Sequence, residues 1–400
     1  MKTLLLAMTA LAGLLAQPAL AQKPIRIGVL NDQSGVYADY QGIGSVFAAQ
    51  LAVEDMGGKV GTTPVEVITA DDQNSADTGS TIARKWLDQD GVDVIADVPN
   101  SAIAFAVSQL VRDHNKVFLG SGVGSSELTG ARCSPNTVQW TYDNWELGHA
   151  LGRAVMARGG NKWFLVTSDY AFGYDLAANT RDAVVTGGGA VLGEVRHPLG
   201  TADFSSYLLQ AQSSGANVLA LANAGGDTVN AIKQANEFGL TGKMTIVGPI
   251  VNINVIAATG TEAATGVLAV TPFYWDTNDD TRAFAKRFAA KHPRHLMPND
   301  MQAGVYASVI HYLKAVKQVG GASDGKAVVD AMKAMPTDDP LFGHGSIRAD
   351  GRKMHPVFLY ETKTPAESRG EWDMFKLIAT VPADQAFRPL KDGHCPLVSG

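Results

Sequence analysis

Several apolar, β-branched runs in this chain end in short polar loops, and those loops carry one kind of side chain. Tyr37 and Tyr40 follow Asn31-Asp-Gln-Ser-Gly35; Asn100 and Ser101 follow Asp97-Val-Pro; Tyr170 follows Ser168-Asp; Asn223 precedes Ala-Gly-Gly-Asp227. Phenols, hydroxyls and carboxamides beside exposed loop amides are the chemistry of recognising a small polar or aromatic solute. Catalytic spacings are missing. Gly120-Ser-Gly-Val-Gly124 does not fit the Gly-x-Ser-x-Gly nucleophile elbow. His292 and His295 flank Pro293, so they read as solvated loop histidines and not as metal ligands on a helix. Asp71-Asp72 and Asp338-Asp339 read as turn formers. Gly225-Gly226 ahead of a helix could suggest anion binding, but Asp227 is more economically an N-cap. The first loop has neither a Gly-x-Gly-x-x-Gly nor a Lys-Ser/Thr phosphate cradle. No catalytic residue, cofactor or metal is expected.

The elements that must position these loops alternate along the chain. Ile25 to Leu30 reads as a buried parallel strand, with a helix from near Gln41 through Asp55. Strand Pro64–Ala70, helix Ala76–Asp90, strand Val92–Ala96, helix Ala102–His114 and strand Lys116–Leu119 continue the pattern of a doubly wound α/β sheet. Cys133 to Asp143 breaks the rhythm, and Val138 to Tyr142 could be a strand crossing to a second domain. Alternation then restarts with helix Trp145–Met156, strand Lys162–Thr167 and a helix to Val185. It runs on through strands Ala190–Val195, Asn217–Ala222 and Met244–Val247. Gly266 to Trp275 looks like a second crossing. Helices Thr281–Lys291, Asp300–Val319 and Lys326–Met335 would return to the first half, and the tail to the second. Ligands of open α/β sheets gather at the carboxyl ends of strands, which is where the polar loops fall.

Composition and the start of the chain point to an exported globular protein. Met1–Ala21 has a basic start, a short apolar stretch and Ala19-Leu-Ala21, and is expected to be cleaved after Ala21 and released to the periplasm. The 400 residues favour two domains, and the net charge of −6 argues against nucleic acid and against adhesion to anionic lipid. There are two cysteines. Export permits a Cys133–Cys395 disulfide tying the C-terminus to the end of the first domain; two unrelated thiols are the alternative.

Taken in order, Asn31-Asp-Gln-Ser-Gly35, Asp97-Val-Pro-Asn-Ser101, Glu127-Leu-Thr129, Asp169-Tyr-Ala-Phe-Gly173, Asn223-Ala-Gly-Gly-Asp227 and Gly248-Pro249 resemble the periplasmic solute-binding proteins of ABC transporters, in particular the branched-chain amino-acid-binding group. The resemblance spans nearly all of the chain after Ala21. It implies an α/β fold of two Rossmann-like lobes joined by a three-segment hinge, with 22–143 and 276–344 in lobe one and 144–275 and 345–400 in lobe two. It also implies a monomer, a solute trapped by lobe closure, and delivery to a membrane permease. By position, the first lobe's grip on a ligand carboxylate falls on Tyr37, Asn100, Ser101 and the backbone from Gly122 to Gly124. The second lobe's contribution falls on Tyr170, Asn223 and Asp227. One departure matters: amino-acid binders carry an acid after the Gly-Pro to hold the ligand ammonium, and here that residue is Ile250. A buried ammonium without a carboxylate is costly. Either Asp227 supplies the charge or the ligand is an aromatic or other small organic acid, or an amide. A sensor subunit or an exported hydrolase are the alternative functions.

Overall fold

The computed structural model describes residues 23–398, which form two α/β lobes. The first is a six-stranded sheet in the order Lys59–Val60, Thr63–Asp71, Ile25–Asn31, Val94–Asp97, Val117–Gly120, Thr137–Gln139. All its pairings are parallel except the edge hairpin joining Lys59–Val60 to Thr63–Asp71. Val94–Asp97 and Val117–Gly120 are buried along their whole length, as a parallel sheet covered on both faces requires. Helices Gly42–Asp55 and Asp300–Val319 pack together on one face, and Ala76–Lys85 and Ser101–Asp113 on the other.

The second lobe is a seven-stranded sheet in the order Phe375–Val381, Val357–Thr362, Leu268–Thr271, Thr245–Val247, Val218–Ala222, Lys162–Ser168, Ala190–His197. Its first two strands run antiparallel to their neighbours and the rest are parallel. The chain passes between the lobes at 140–143, at 272–278 and at 355–356, so three segments form the hinge.

Most of the expected elements stand where the pattern put them, and the differences have local causes. The helix expected over 76–90 ends at Lys85 and widens into a π turn, Trp86–Asp90. The Trp86 ring lies where a Cβ on Gly28 would stand, 2.5 Å away, so the strand glycine admits the indole. Thr137–Gln139 closes the first sheet, and only Trp140–Tyr142 crosses. The short helix Ile253–Thr259, capped by Asn252, was not anticipated. The hairpin Ser346–Ile347 with Lys353–Met354 lies with the first lobe and not the second, because Ile347 enters the first lobe's core and Arg352 bridges Gln139. His292 is no solvated loop residue: it is buried against Phe288 and Phe47.

Cys133 and Cys395 are joined by a disulfide spanning 262 residues, with a Cα–Cα distance of 5.6 Å. It fastens the end of the tail, which starts in the second lobe, to the loop after Ser126–Thr129 in the first. The leader predicted at Met1–Ala21 lies outside the described residues. Among those described, no helix is long and apolar enough to cross a membrane, and no group of three or more His, Cys, Asp or Glu could hold a metal ion.

The cleft between the lobes as a candidate binding site

Asp32 builds the loop that reaches across the cleft. Its carboxylate is fully buried and accepts hydrogen bonds from the backbone N–H of Ser34, Gly35 and Tyr37 at 3.2, 2.6 and 3.0 Å. This Asx-type turn aims Tyr37 and Tyr40 at the second lobe, whose apolar core both rings join. The hydroxyls of Tyr37 and Tyr170 meet across the cleft at 2.5 Å. Gly226 N–H donates to the Val36 carbonyl at 2.9 Å. Burial pushes both phenols up from the usual tyrosine range. Near the mouth, a cavity of about 250 Å³ lies between Gly35–Tyr40 of the first lobe and Gly225–Asn230 and Asn254–Ala258 of the second.

The other residues expected to hold a ligand are distributed differently. Asn100 is a helix cap: its Oδ1 accepts from Ala102 and Ile103 N–H, and its Nδ2 donates to Asn74 Oδ1 at 2.7 Å. The carboxamide thus holds the start of the helix and ties it to Asn74. Ser101 Oγ is buried and accepts from Ser125 N–H at 3.3 Å. The Gly122 carbonyl takes the Tyr142 hydroxyl at 2.8 Å, and the Gly124 carbonyl takes Asn144 N–H at 2.6 Å. A Cβ on Gly124 would stand 2.6 Å from Phe172 of the second lobe, so glycine sets how closely the lobes approach there. Asn223 is held within its own lobe, between His197 Nε2 and the Thr228 hydroxyl.

Asp227 is not the N-cap. Ala224 holds that position, and Asp227 sits in the first turn with Oδ2 accepting from Gly200 N–H at 3.1 Å. Its Oδ1 is buried without a partner among the described residues, and burial lifts its carboxyl to about 6. Its charge is felt by both Tyr37 and Tyr170.

Ile250 packs with Tyr142, Leu147, Pro249, Val251, Asn252, Val270 and Asp300 around a pinched space between the lobes that is too narrow for a water molecule. Sequence reading passed over Asp300, because an acid opening a helix reads as an ordinary complement to the helix dipole. It comes from the first lobe's helix, is 5% exposed, and its Oδ1 has no aligned partner among the described residues. Asn252 meets the Asp300 carboxyl and the Tyr40 hydroxyl meets that of Tyr142, whereas both carboxyl oxygens of Glu146 are buried without an aligned partner among the described residues. Burial pushes Asp300 up to about 7, against the downward pull of nearby backbone N–H groups, Thr271 and Asn252. Burial also raises Glu146, with Asp143 and Asp300 adding to the effect and Arg352 opposing it.

This has a measurable consequence for the solute-free protein. The unfolded chain ionises Asp300 near its ordinary value of 3.8, while the folded chain holds the proton to about pH 7. The folded state therefore binds the extra proton, and stability from this group is complete at low pH and lost as pH rises towards 7. Each unit of separation is worth about 1.4 kcal/mol. Asp300→Asn should match wild type near pH 4 and grow progressively more stable relative to it up to pH 7, then level off. Urea melts across that range check this; a constant difference would contradict it.

Comparison with known proteins places these features in context. Residues 24–370 match the family described as periplasmic binding protein. A crystal structure of a periplasmic binding protein from Burkholderia mallei superposes with a TM-score of 0.91 at 44% identity, covering 94% of this chain and 100% of that one. A branched chain amino acid ABC transporter periplasmic ligand-binding protein from Burkholderia xenovorans LB400 superposes with a TM-score of 0.83 at 39% identity, covering 93% and 99%. Leu/Ile/Val-binding protein homolog 6 of Brucella melitensis biotype 1 is 27% identical over 361 residues, 88% of this chain and 90% of that protein.

Proposed function

The chain belongs to the periplasmic binding protein family, whose members are solute-binding proteins and not enzymes, and from that premise we propose that it is the substrate-binding component of an ABC importer for a small solute of the amino-acid or organic-acid class. The observation that carries this reading is the seam itself. Tyr37 and Tyr170 join hydroxyls from opposite lobes, over an interior where Asp227 and Glu146 keep buried carboxyl oxygens without aligned partners among the described residues. Unsatisfied buried polar groups cost free energy, and a solute that pairs with them recovers it. That recovery favours the closed arrangement, which differs in shape from the open one and can be read by a membrane permease.

The importer role draws on the Burkholderia xenovorans relative, described as part of a branched-chain amino-acid ABC transporter. Export of the chain, with cleavage after Ala21, belongs to the same reading. A thermal-shift screen over amino acids, amides and aromatic carboxylates tests it. At a concentration of one hundred times Kd, a bound solute stabilises by about 2.7 kcal/mol. At least one of these compounds should raise the melting temperature in a saturable way; if none does, the assigned solute class is wrong.

A further inference from the structure

We propose that the C-terminal tail is a strap, locked by the Cys133–Cys395 disulfide, that holds the two lobes towards their closed arrangement. The tail leaves the second lobe's edge strand at Val381 and stays seated in that lobe as far as Phe387. Ala386 and Phe387 are buried in the second lobe's core, and Arg153 of the same lobe donates to the Gln385 carbonyl at 3.0 Å. The next residue belongs to the first lobe. Arg388 Nη2 donates to the Ser126 carbonyl at 2.9 Å, and its Nη1 stands 3.8 Å from Glu127. The Arg388 carbonyl accepts from Arg348 Nη1 at 2.7 Å. The chain therefore returns across the hinge in a single peptide link, beside His355 and Arg352, whose side chains pack on the Phe387 ring. Three passages between the lobes are continuous backbone; this fourth one is closed covalently by the disulfide.

Ser126 is where the strap acts on closure. Its N–H and hydroxyl donate to the Asp175 carboxylate of the second lobe at 2.8 and 2.9 Å, while its carbonyl takes Arg388. Asn144 and Asn179 of the second lobe hold the same carboxylate in place. The turn Ser126–Thr129 is thus gripped by the second lobe on one side and by the tail on the other. The tail lies tight on it: a Cβ on Gly130 would stand 2.6 Å from the Arg388 guanidinium and 3.1 Å from the Gly393 carbonyl. To part, the lobes must draw Phe387 out of the second core or pull Arg388 off Ser126. With the disulfide closed, Arg388 stays on a short tether and its contact re-forms at high effective concentration. With the disulfide opened, the tail becomes a free end, the open state gains conformational freedom, and the balance shifts away from closure.

Amide hydrogen exchange on the solute-free, full mature protein tests this. The Gly226 N–H donates to the Val36 carbonyl across the cleft, so its exchange reports lobe opening. In the double variant Cys133→Ser/Cys395→Ser, Gly226 should exchange roughly tenfold or more faster than in the oxidised wild type, the scale of one hydrogen bond to a charged group. The amides of the buried strand Val218–Ala222 should change by a clearly smaller factor. Unchanged Gly226 exchange, or acceleration only in step with that strand, would make the disulfide a staple of the fold alone and overturn the proposal. Should the double variant not fold, the same two outcomes decide in Arg388→Met, which keeps the disulfide. No solute enters the measurement, so its failure leaves the solute-binding reading standing.

Discussion

Gly225→Ala is expected to weaken solute binding roughly tenfold or more, while Gly226→Ala next to it stays close to wild type. Gly225 opens the helix Gly225–Glu237 with φ +58°, a left-handed conformation that costs an L-residue with a side chain about 1–2 kcal/mol. An alanine Cβ there would stand 2.4 Å from the Val36 carbonyl oxygen and 2.7 Å from the Tyr37 ring, both on the opposite lobe. That carbonyl cannot swing aside cheaply, because the Asp32 carboxylate pins the loop through Gly35 and Tyr37. The lobes must part, and parting breaks the Gly226–Val36 bond and the Tyr37–Tyr170 contact. Gly226 has no positive φ, and its nearest Cβ contact would be an ordinary 3.6 Å. Calorimetry with the strongest solute of the thermal-shift screen measures both variants; equal affinities would refute the assigned seam.

The second large effect lies in the hinge. Arg352 is fully buried, with Nη1 donating to Tyr142 O at 2.7 Å, Nη2 to Trp140 O at 2.8 Å and Nε to Lys353 O at 2.9 Å. It also stands 3.7 Å from Asp143 and lies over the Phe387 ring. Burial lowers its pKa to about 10, which leaves it charged at neutral pH. Arg352→Met would strand three buried carbonyls and the Asp143 charge, and breaking one side of a buried pair costs about 3–5 kcal/mol. At about 2–4 °C per kcal/mol the melting temperature should fall by on the order of 10 °C. Arg352→Lys keeps the charge without the fork and should fall between. A scanning-calorimetry loss below about 1 kcal/mol for the methionine variant would contradict this account of the hinge.

Local rules carried the sequence reading a long way and then stopped for definite reasons. Parallel strands buried on both faces write themselves as unbroken apolar runs, so Ile25–Asn31, Lys162–Ser168 and Val218–Ala222 were legible. The polar loops at their ends were legible too, and Tyr37 and Tyr170 do face each other. What a polar side chain does with its hydrogen bonds was not visible: Asn100 is equally suited to a solute or to a helix end, and the neighbouring N–H groups of Ala102 and Ile103 decide for the helix. Asp300 and Arg352 escaped for a different reason. Each sits in a stretch where charge is commonplace, a helix start and the residues after the Asp350-Gly351 turn. Only contacts over long separations, Asp300 with Ile250 and Arg352 with Tyr142, bury them.

Closure of two lobes on a solute is the claim on which the rest depends, and small-angle X-ray scattering addresses it most directly. Adding the strongest stabilising solute at saturation should lower the radius of gyration of the wild-type protein, and should lower it less for Gly225→Ala. A solute that binds tightly yet leaves the wild-type radius of gyration unchanged would contradict the account.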